Sequence, residues 1–275
     1  MQASCVAFLT KCLNTTGRHP LRRDPPRVKL HVATYNIHKG FSQFNRRLMI
    51  HELREQLHRL GADIVFLQEV LGQHRRHAAR FEDWPVEPQY EFLAHEVWND
   101  YVYGRNTVYA HGHHGNAILS RYPIRWAENE DVTLNRREGR GLLHCEIDVP
   151  GAPTPLHCIC VHLALSERGR RAQVGALIER VRREVPDRSP LVVAGDFNDW
   201  RNLAGKRLAA SFGLHEALAD RWGRPARSFP SAFPMLRLDR IYVRGLEVER
   251  TEAHRGRQWR RISDHAPLSA YLRLE

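Results

Sequence analysis

Residues 191–199 read Leu191-Val192-Val193-Ala194-Gly195-Asp196-Phe197-Asn198-Asp199. A short unbroken apolar run of this kind suits a strand covered on both faces. The polar residues that follow fall where the chain would leave the sheet. Leu191–Asp196 is therefore predicted as a buried strand that delivers Asp196 at its end.

Similar runs rich in Val, Ile and Leu occupy residues 28–37, 63–70, 117–120, 142–149, 156–163, 238–243 and 268–274, most of them bounded by turn residues. Two helices stand out. Met49, Leu53, Leu57 and Leu60 recur at helical spacing and stop at Gly61, while Val174, Leu177, Ile178, Val181 and Val185 do the same before Pro186. So many strands with so few long helices point to strand layers packed on each other with helices outside, rather than a regular βαβ alternation. No linker-like stretch interrupts residues 28–275, which are read as one domain. Residues 1–27, basic and broken by Pro20, Pro25 and Pro26, are read as a loose arm.

Polar residues recur at these strand ends. Asn36, Glu69 and His162 close strands, Asp239 opens one, and Asp264-His265 precede the last. Each alone is an ordinary turn residue. Together they are what a shared pocket at one edge of a sandwich requires. Carboxylate and amide oxygens suit a hard cation such as Mg²⁺. An Asp beside an Asn can hold and activate water, and histidines can bind phosphoryl oxygens or protonate a leaving oxygen. That set fits metal-assisted phosphoester hydrolysis.

The chain has 275 residues with 42 basic and 31 acidic side chains, a formal net charge of +11. Such a charge invites a nucleic-acid or anionic-membrane partner. Only four of the basic residues are lysines and the arginines spread along the whole chain, so charge alone does not choose the partner. No apolar run approaches the roughly 20 residues that cross a bilayer. Cys5, Cys12, Cys145, Cys158 and Cys160 include no CxxC pair, and Val6–Leu9 is too short for a signal-peptide core, so free thiols in the cytoplasm are expected. His111, His113 and His114 are read as a Gly-rich solvated or substrate-facing loop. Arg140, between two glycines, can reach a phosphate or serve a turn. Arg255, Arg257, Arg260 and Arg261 lead into Asp264-His265 and are expected along the substrate entrance, and Trp200 is expected to pack.

Seven segments then become specific in combination. Thr34-Tyr35-Asn36-Ile37, Leu67-Gln68-Glu69-Val70, Gly115-Asn116-Ala117-Ile118-Leu119-Ser120, Val161-His162-Leu163, Gly195-Asp196-Phe197-Asn198-Asp199, Leu238-Asp239-Arg240-Ile241 and Ser263-Asp264-His265-Ala266-Pro267-Leu268 occur in this order. Together they resemble the endonuclease/exonuclease/phosphatase superfamily, from about residue 30 to the end of the chain. Asn36-Ile37-His38-Lys39-Gly40, with Tyr103-Gly104-Arg105-Asn106 and Gly112-His113-His114-Gly115-Asn116, resembles its bacterial YbhP-like branch.

The resemblance implies an α+β fold of the DNase I type: a four-layer α/β/β/α sandwich of two mixed sheets packed face to face. It implies Glu69 as principal Mg²⁺ ligand, with Mn²⁺ as a substitute, helped by Asn36 and Asp264. Asp196 would orient and deprotonate the attacking water, with Asn198 holding the phosphate. His265, oriented by Asp239, would stabilise the phosphoryl group, and His162 would act as general acid or oxyanion stabiliser. Asn116 and Arg140 would bind substrate. His162 matches the DNase I and sphingomyelinase branches and is absent from the exonuclease III-type repair enzymes. Where those enzymes carry an Asp two residues after the Asn, this chain has His38, which favours one ion held chiefly through Glu69. The expected activity is a phosphodiesterase or phosphatase on a lipid or small phosphate ester. A nuclease on DNA or RNA is the second reading, and a non-catalytic binding module the third.

Overall fold

The computed structural model describes residues 28–136 and 138–274. The expected arm at 1–27, with Cys5 and Cys12, lies outside them. Twelve strands form two six-stranded sheets. The first contains β1 (Lys29–Asn36), β2 (Ile64–His74), β3 (Asp100–Tyr109), β4 (Gly112–Ser120), β11 (Leu246–Ala253) and β12 (Leu268–Leu274), in the order β11-β12-β1-β2-β4-β3. The second contains β5 (Ile124–Asp131), β6 (Gly141–Ile147), β7 (Leu156–His162), β8 (Leu191–Asp196), β9 (His215–Glu216) and β10 (Asp239–Arg244), in the order β5-β6-β7-β8-β10-β9.

Each sheet holds one parallel pair, β1 with β2 and β7 with β8, and every other pairing is antiparallel. A parallel pair needs a long crossover. The two helices expected from sequence fill that need: α1 (Ile50–Leu60) joins β1 to β2, and α4 (Glu167–Glu184) joins β7 to β8. Gly61 ends α1 in the left-handed region at φ 67°. Shorter helices are α2 (Arg75–Ala78), α3 (Gln89–Ala94), α5 (Leu203–Phe212), α6 (Ala217–Trp222) and α7 (Arg257–Ile262).

Strand alternation sorts the core into three layers. Val32, Phe66, Ile118, Cys158, Cys160, Val192, Ala194 and Ile241 pack between the sheets. Ala33, Tyr35, Val65 and Leu67 face the other way, against Leu53 and Leu57 of α1 and Trp259 and Ile262 of α7. Ile159, Leu191 and Val193 pack under Val174, Leu177 and Val181 of α4. The architecture is therefore the four-layer sandwich of two mixed sheets with flanking helices. Cys158 and Cys160 share one strand face, as their spacing requires, and with Cys145 are buried free thiols. No helix of the described residues is long and apolar enough to cross a membrane.

Candidate active site

Register explains why the polar strand ends meet. His162 lies beside Asp196 across the parallel β7–β8 pair, and Asp239 lies beside Asp196 across β8–β10. Three adjacent strands thus present an imidazole and two carboxylates in a row. Gly195 makes the approach of β7 to β8 possible: its φ is 145°, and a Cβ there would meet the Val161 carbonyl oxygen at 1.9 Å. From the other sheet, Asn36 at the end of β1 reaches across and donates from Nδ2 to Asp196 Oδ2 at 3.1 Å. The backbone N–H of Asn198, at φ 49°, donates to Asp196 Oδ1 at 2.9 Å, and its side-chain Nδ2 donates to the Leu163 carbonyl at 2.9 Å.

Around Asp196, which is 2% exposed, His162 Nε2 stands 3.6 Å and His265 Nε2 3.8 Å from Oδ2. His265 Nδ1 faces Asp239 Oδ2 at 2.8 Å. Burial pushes the Asp196 carboxyl up to about 6; Asp239 adds to the rise and His265 opposes it. Burial also works against a charged His265, but Asp239, Asp196 and Asp264 outweigh it and raise that imidazole to about 10. His162 is driven the other way, by burial and then by Arg140, so it stays neutral.

Glu69 corrects one sequence expectation. It does not end β2, which runs on to His74; the carboxylate sits inside the strand at a register shift between Leu67 and Val70, with φ 57°. This left-handed kink turns a mid-strand residue out of the ladder. Lys39 Nζ lies 3.1 Å from Glu69 Oε2. Burial resists ionisation of Glu69, yet Lys39, and His38 after it, hold its carboxyl well below the usual carboxylate range. His38 pairs through Nδ1 with Asp264 Oδ1 at 3.1 Å, and Ser263 Oγ donates to the Asn36 carbonyl at 2.7 Å.

Glu69, Asn36 and Asp264 are an all-oxygen donor set, and the ammonium already at Glu69 marks a position where a cation is stabilised. They fit a hard divalent ion. Asp196, Asp239 and His265 also bring ligand atoms within 4.8 Å of one another. His265 holds its proton between two carboxylates there, which makes it a partner in an ion pair and a poor metal ligand.

Other expectations need revision. Asn116 gives Nδ2 to the carbonyls of Gly141 and Cys160, at 3.2 and 3.4 Å, so this buried side chain ties the two sheets together. Arg140, read as reaching a phosphate or serving a turn, has a buried guanidinium that donates to the Leu163 and Gly139 carbonyls and to Glu138 Oε1. His113 and His114 lie on β4 and not in a loop. His113 Nδ1 is 2.9 Å from Tyr103 Oη, and burial and Lys39 push the His114 imidazole down to about 4. Trp200 is 44% exposed, with the Arg170 guanidinium 4.4 Å above its ring. Arg260 and Arg261 line a cleft of about 780 Å³ with Arg46 and Arg47, while Arg255 lines a separate cavity of about 540 Å³. Lys39 and Glu138 are given no role from sequence because nothing in their local spacing marks them, whereas His114 is read there but on a loop rather than a strand.

The endonuclease/exonuclease/phosphatase family model matches residues 33–265. YbhP of Escherichia coli (strain K12), an uncharacterized protein, is 52% identical over 243 residues, covering 88% of this chain and 96% of its own. An endonuclease/exonuclease/phosphatase from Bacteroides vulgatus superposes with a TM-score of 0.69 at 20% identity, over 90% of this chain and 100% of that one. D. rerio TDP2, solved with a single-strand DNA product, superposes with a TM-score of 0.63 at 16% identity, over 89% of this chain and 98% of that one. With its motifs in order and its fold shared, this chain belongs to the endonuclease/exonuclease/phosphatase family, whose members hydrolyse phosphoester bonds.

Proposed function

We propose that this chain is a Mg²⁺-dependent hydrolase of phosphoester bonds, a phosphodiesterase or phosphatase acting on a lipid or small phosphate ester. Residues 28–275 would form its single catalytic domain. The observation that carries the reading is the meeting of two imidazoles, His162 and His265, around one carboxylate, Asp196, with Asn36 bridging from the opposite sheet. An idle binding module has no need of a base and an acid held this close.

Asp196 is the general base. Asn36 and the Asn198 N–H fix its two oxygens, and burial keeps its proton affinity high enough to take a proton from water. His265, kept protonated by Asp239, stabilises negative charge on the phosphoryl oxygens. His162, neutral and 3.6 Å from Asp196, is the second imidazole at the phosphoryl group, where its N–H serves as an oxyanion stabiliser. The Asn198 amide completes the phosphate side. A divalent ion, when bound by Glu69 with Asn36 and Asp264, would supply further positive charge to polarise the phosphoryl oxygens. Three buried unpaired thiols support a reducing compartment, the cytoplasm.

A panel of a soluble aryl phosphodiester, phospholipid and supercoiled plasmid, each with Mg²⁺ and with chelator, tests this reading. Hydrolysis of the diester or the lipid, lost in chelator, supports it. Rapid plasmid nicking with the diester untouched favours the nuclease, and no hydrolysis of any substrate overturns it.

A further inference from the structure

The strand register assigns every connection to one end of the sandwich. Residues 38–49, 75–99, 132–140, 163–166, 197–202, 223–238 and 254–267 leave the end that carries Asp196. The opposite end has only short connections, such as 61–63, 121–123 and 185–190. Large exposed apolar side chains concentrate on the first set: Phe44, Leu134, Leu165, Trp200, Phe233 and Met235 all lie there. Connections at the far end carry none among the described residues.

Charge follows the same asymmetry. Segments 38–49, 223–238 and 254–267 hold ten lysines and arginines and a single carboxylate, Asp264. The rest of the chain from residue 28 onward has two more carboxylates than cations, and segment 75–99 alone is net acidic. The three basic segments adjoin. Arg46 and Arg47 share a cleft with Arg260 and Arg261, and Arg224, Arg227 and Arg237 share a cavity with Arg255. None of these eight arginines has an ion-pair partner among the described residues.

One turn fastens this rim to the catalytic centre. Phe229 and Leu236 bridge as an antiparallel pair, and the Phe229 ring lies 5.0 Å from the His265 ring. Ser231 donates its N–H to the Asp264 carbonyl at 2.7 Å and its hydroxyl to the Ser263 carbonyl at 2.6 Å. The outer side of the turn holds Phe233, 73% exposed, and Met235, 54% exposed. Phe44, 71% exposed with Arg46 over its ring, lines the cleft shared by Arg47, Arg260 and Arg261.

Apolar tips among unpaired arginines are the composition of a surface that enters the headgroup layer of an anionic bilayer. Aliphatic tips such as Leu134, Leu165 and Met235 gain from hydrocarbon and offer nothing for a base to stack on. We propose that the catalytic end of the sandwich docks on an anionic phospholipid bilayer, with the 229–236 turn inserted and the arginines on the lipid phosphates. Resting on the phosphoesterase reading, this names the substrate as a phosphoester presented at a lipid surface.

The test is co-sedimentation of the whole chain with vesicles in chelator, so that no turnover intervenes. Vesicles containing phosphatidylglycerol should bind and pure phosphatidylcholine vesicles should not, with binding falling as salt rises. Phe233→Ser with Met235→Ser should weaken binding about tenfold or more. Arg260→Ala and Arg261→Ala should each cost about fivefold. Hydrolysis of a soluble phosphodiester should survive the Phe233/Met235 change, which also shows that the variant folds; Phe44→Ser, on a separate segment, is the second probe. No vesicle binding, or binding that both apolar variants retain, overturns the proposal. So does single-stranded DNA that displaces the vesicles and binds through the same apolar residues. Soluble-ester hydrolysis without vesicle binding removes the docking surface alone; vesicle binding by a chain that hydrolyses nothing removes the catalytic reading instead.

Discussion

The Nδ1 atom of His265 lies 2.8 Å from Asp239 Oδ2, both side chains buried, and this pairing sets the charge of the site. The imidazole is held protonated up to about 10 although burial alone would strip the proton. Its folded-state value is raised above the ordinary 6.5, so the stability it contributes is complete below about 6.5 and is lost as pH rises through about 10. Asp239→Asn removes the largest part of that contribution, Asp196 and Asp264 supplying the rest. The variant should unfold at lower temperature than the parent at pH 6, and the gap should narrow as pH approaches 10. An equal gap at both pH values contradicts a charged pair.

Asp196 is expected to limit activity on the acid side. Its carboxyl, pushed up to about 6, must be ionised to act as a base, so turnover should fall below about pH 6. Asp196→Asn should lower kcat by about 10²–10⁴-fold with KM little changed, and the acid limb should disappear from the residual activity. A pH–rate profile of both proteins checks this.

Glu69→Gln keeps the shape of the side chain and deletes the charge that would hold a divalent ion. Mg²⁺ should raise the unfolding temperature of the parent and leave that of the variant unmoved, since only an ion bound to the folded state stabilises it. An equal rise in both proteins places the ion elsewhere.

Gly195→Ala tests the backbone under the site. The added Cβ would meet the Val161 carbonyl oxygen at 1.9 Å at a φ of 145° that L residues rarely adopt. A cost of about 3 kcal/mol, or roughly 10 °C in unfolding temperature, is expected. A thermal melt unchanged from the parent would mean that β7 and β8 can part without penalty.

Strands buried on both faces were legible because nothing but apolar residues can fill them, and β1, β7 and β8 are such strands. The edge strands were not. β5 reads Ile124-Arg125-Trp126-Ala127-Glu128-Asn129-Glu130-Asp131, and its face under α4 is filled by charge: Arg180, fully buried, reaches Glu128 Oε2 at 2.8 Å and Glu130 Oε2 at 3.0 Å. A polar face of that kind hides the alternation that marks a strand. β3, β9 and β11 were missed in the same way, since partly exposed or very short edges have no apolar rule to obey. At the site, residues at strand ends could be picked out by position. Glu69 was found by motif but misplaced, because a kink inside a continuous strand leaves no periodic trace. Lys39 reaches Glu69 through folding alone, and His114 was noticed as a histidine but not as a strand residue.

Hydrolysis of a soluble aryl phosphodiester by the parent chain and by Asp196→Asn, each with Mg²⁺ and with excess chelator, tests the central assignment most directly. Hydrolysis by the parent in Mg²⁺, abolished by chelator and reduced at least about 10²-fold in Asp196→Asn, is the predicted result. Undiminished turnover in chelator, or an Asp196→Asn variant as fast as the parent, would contradict it.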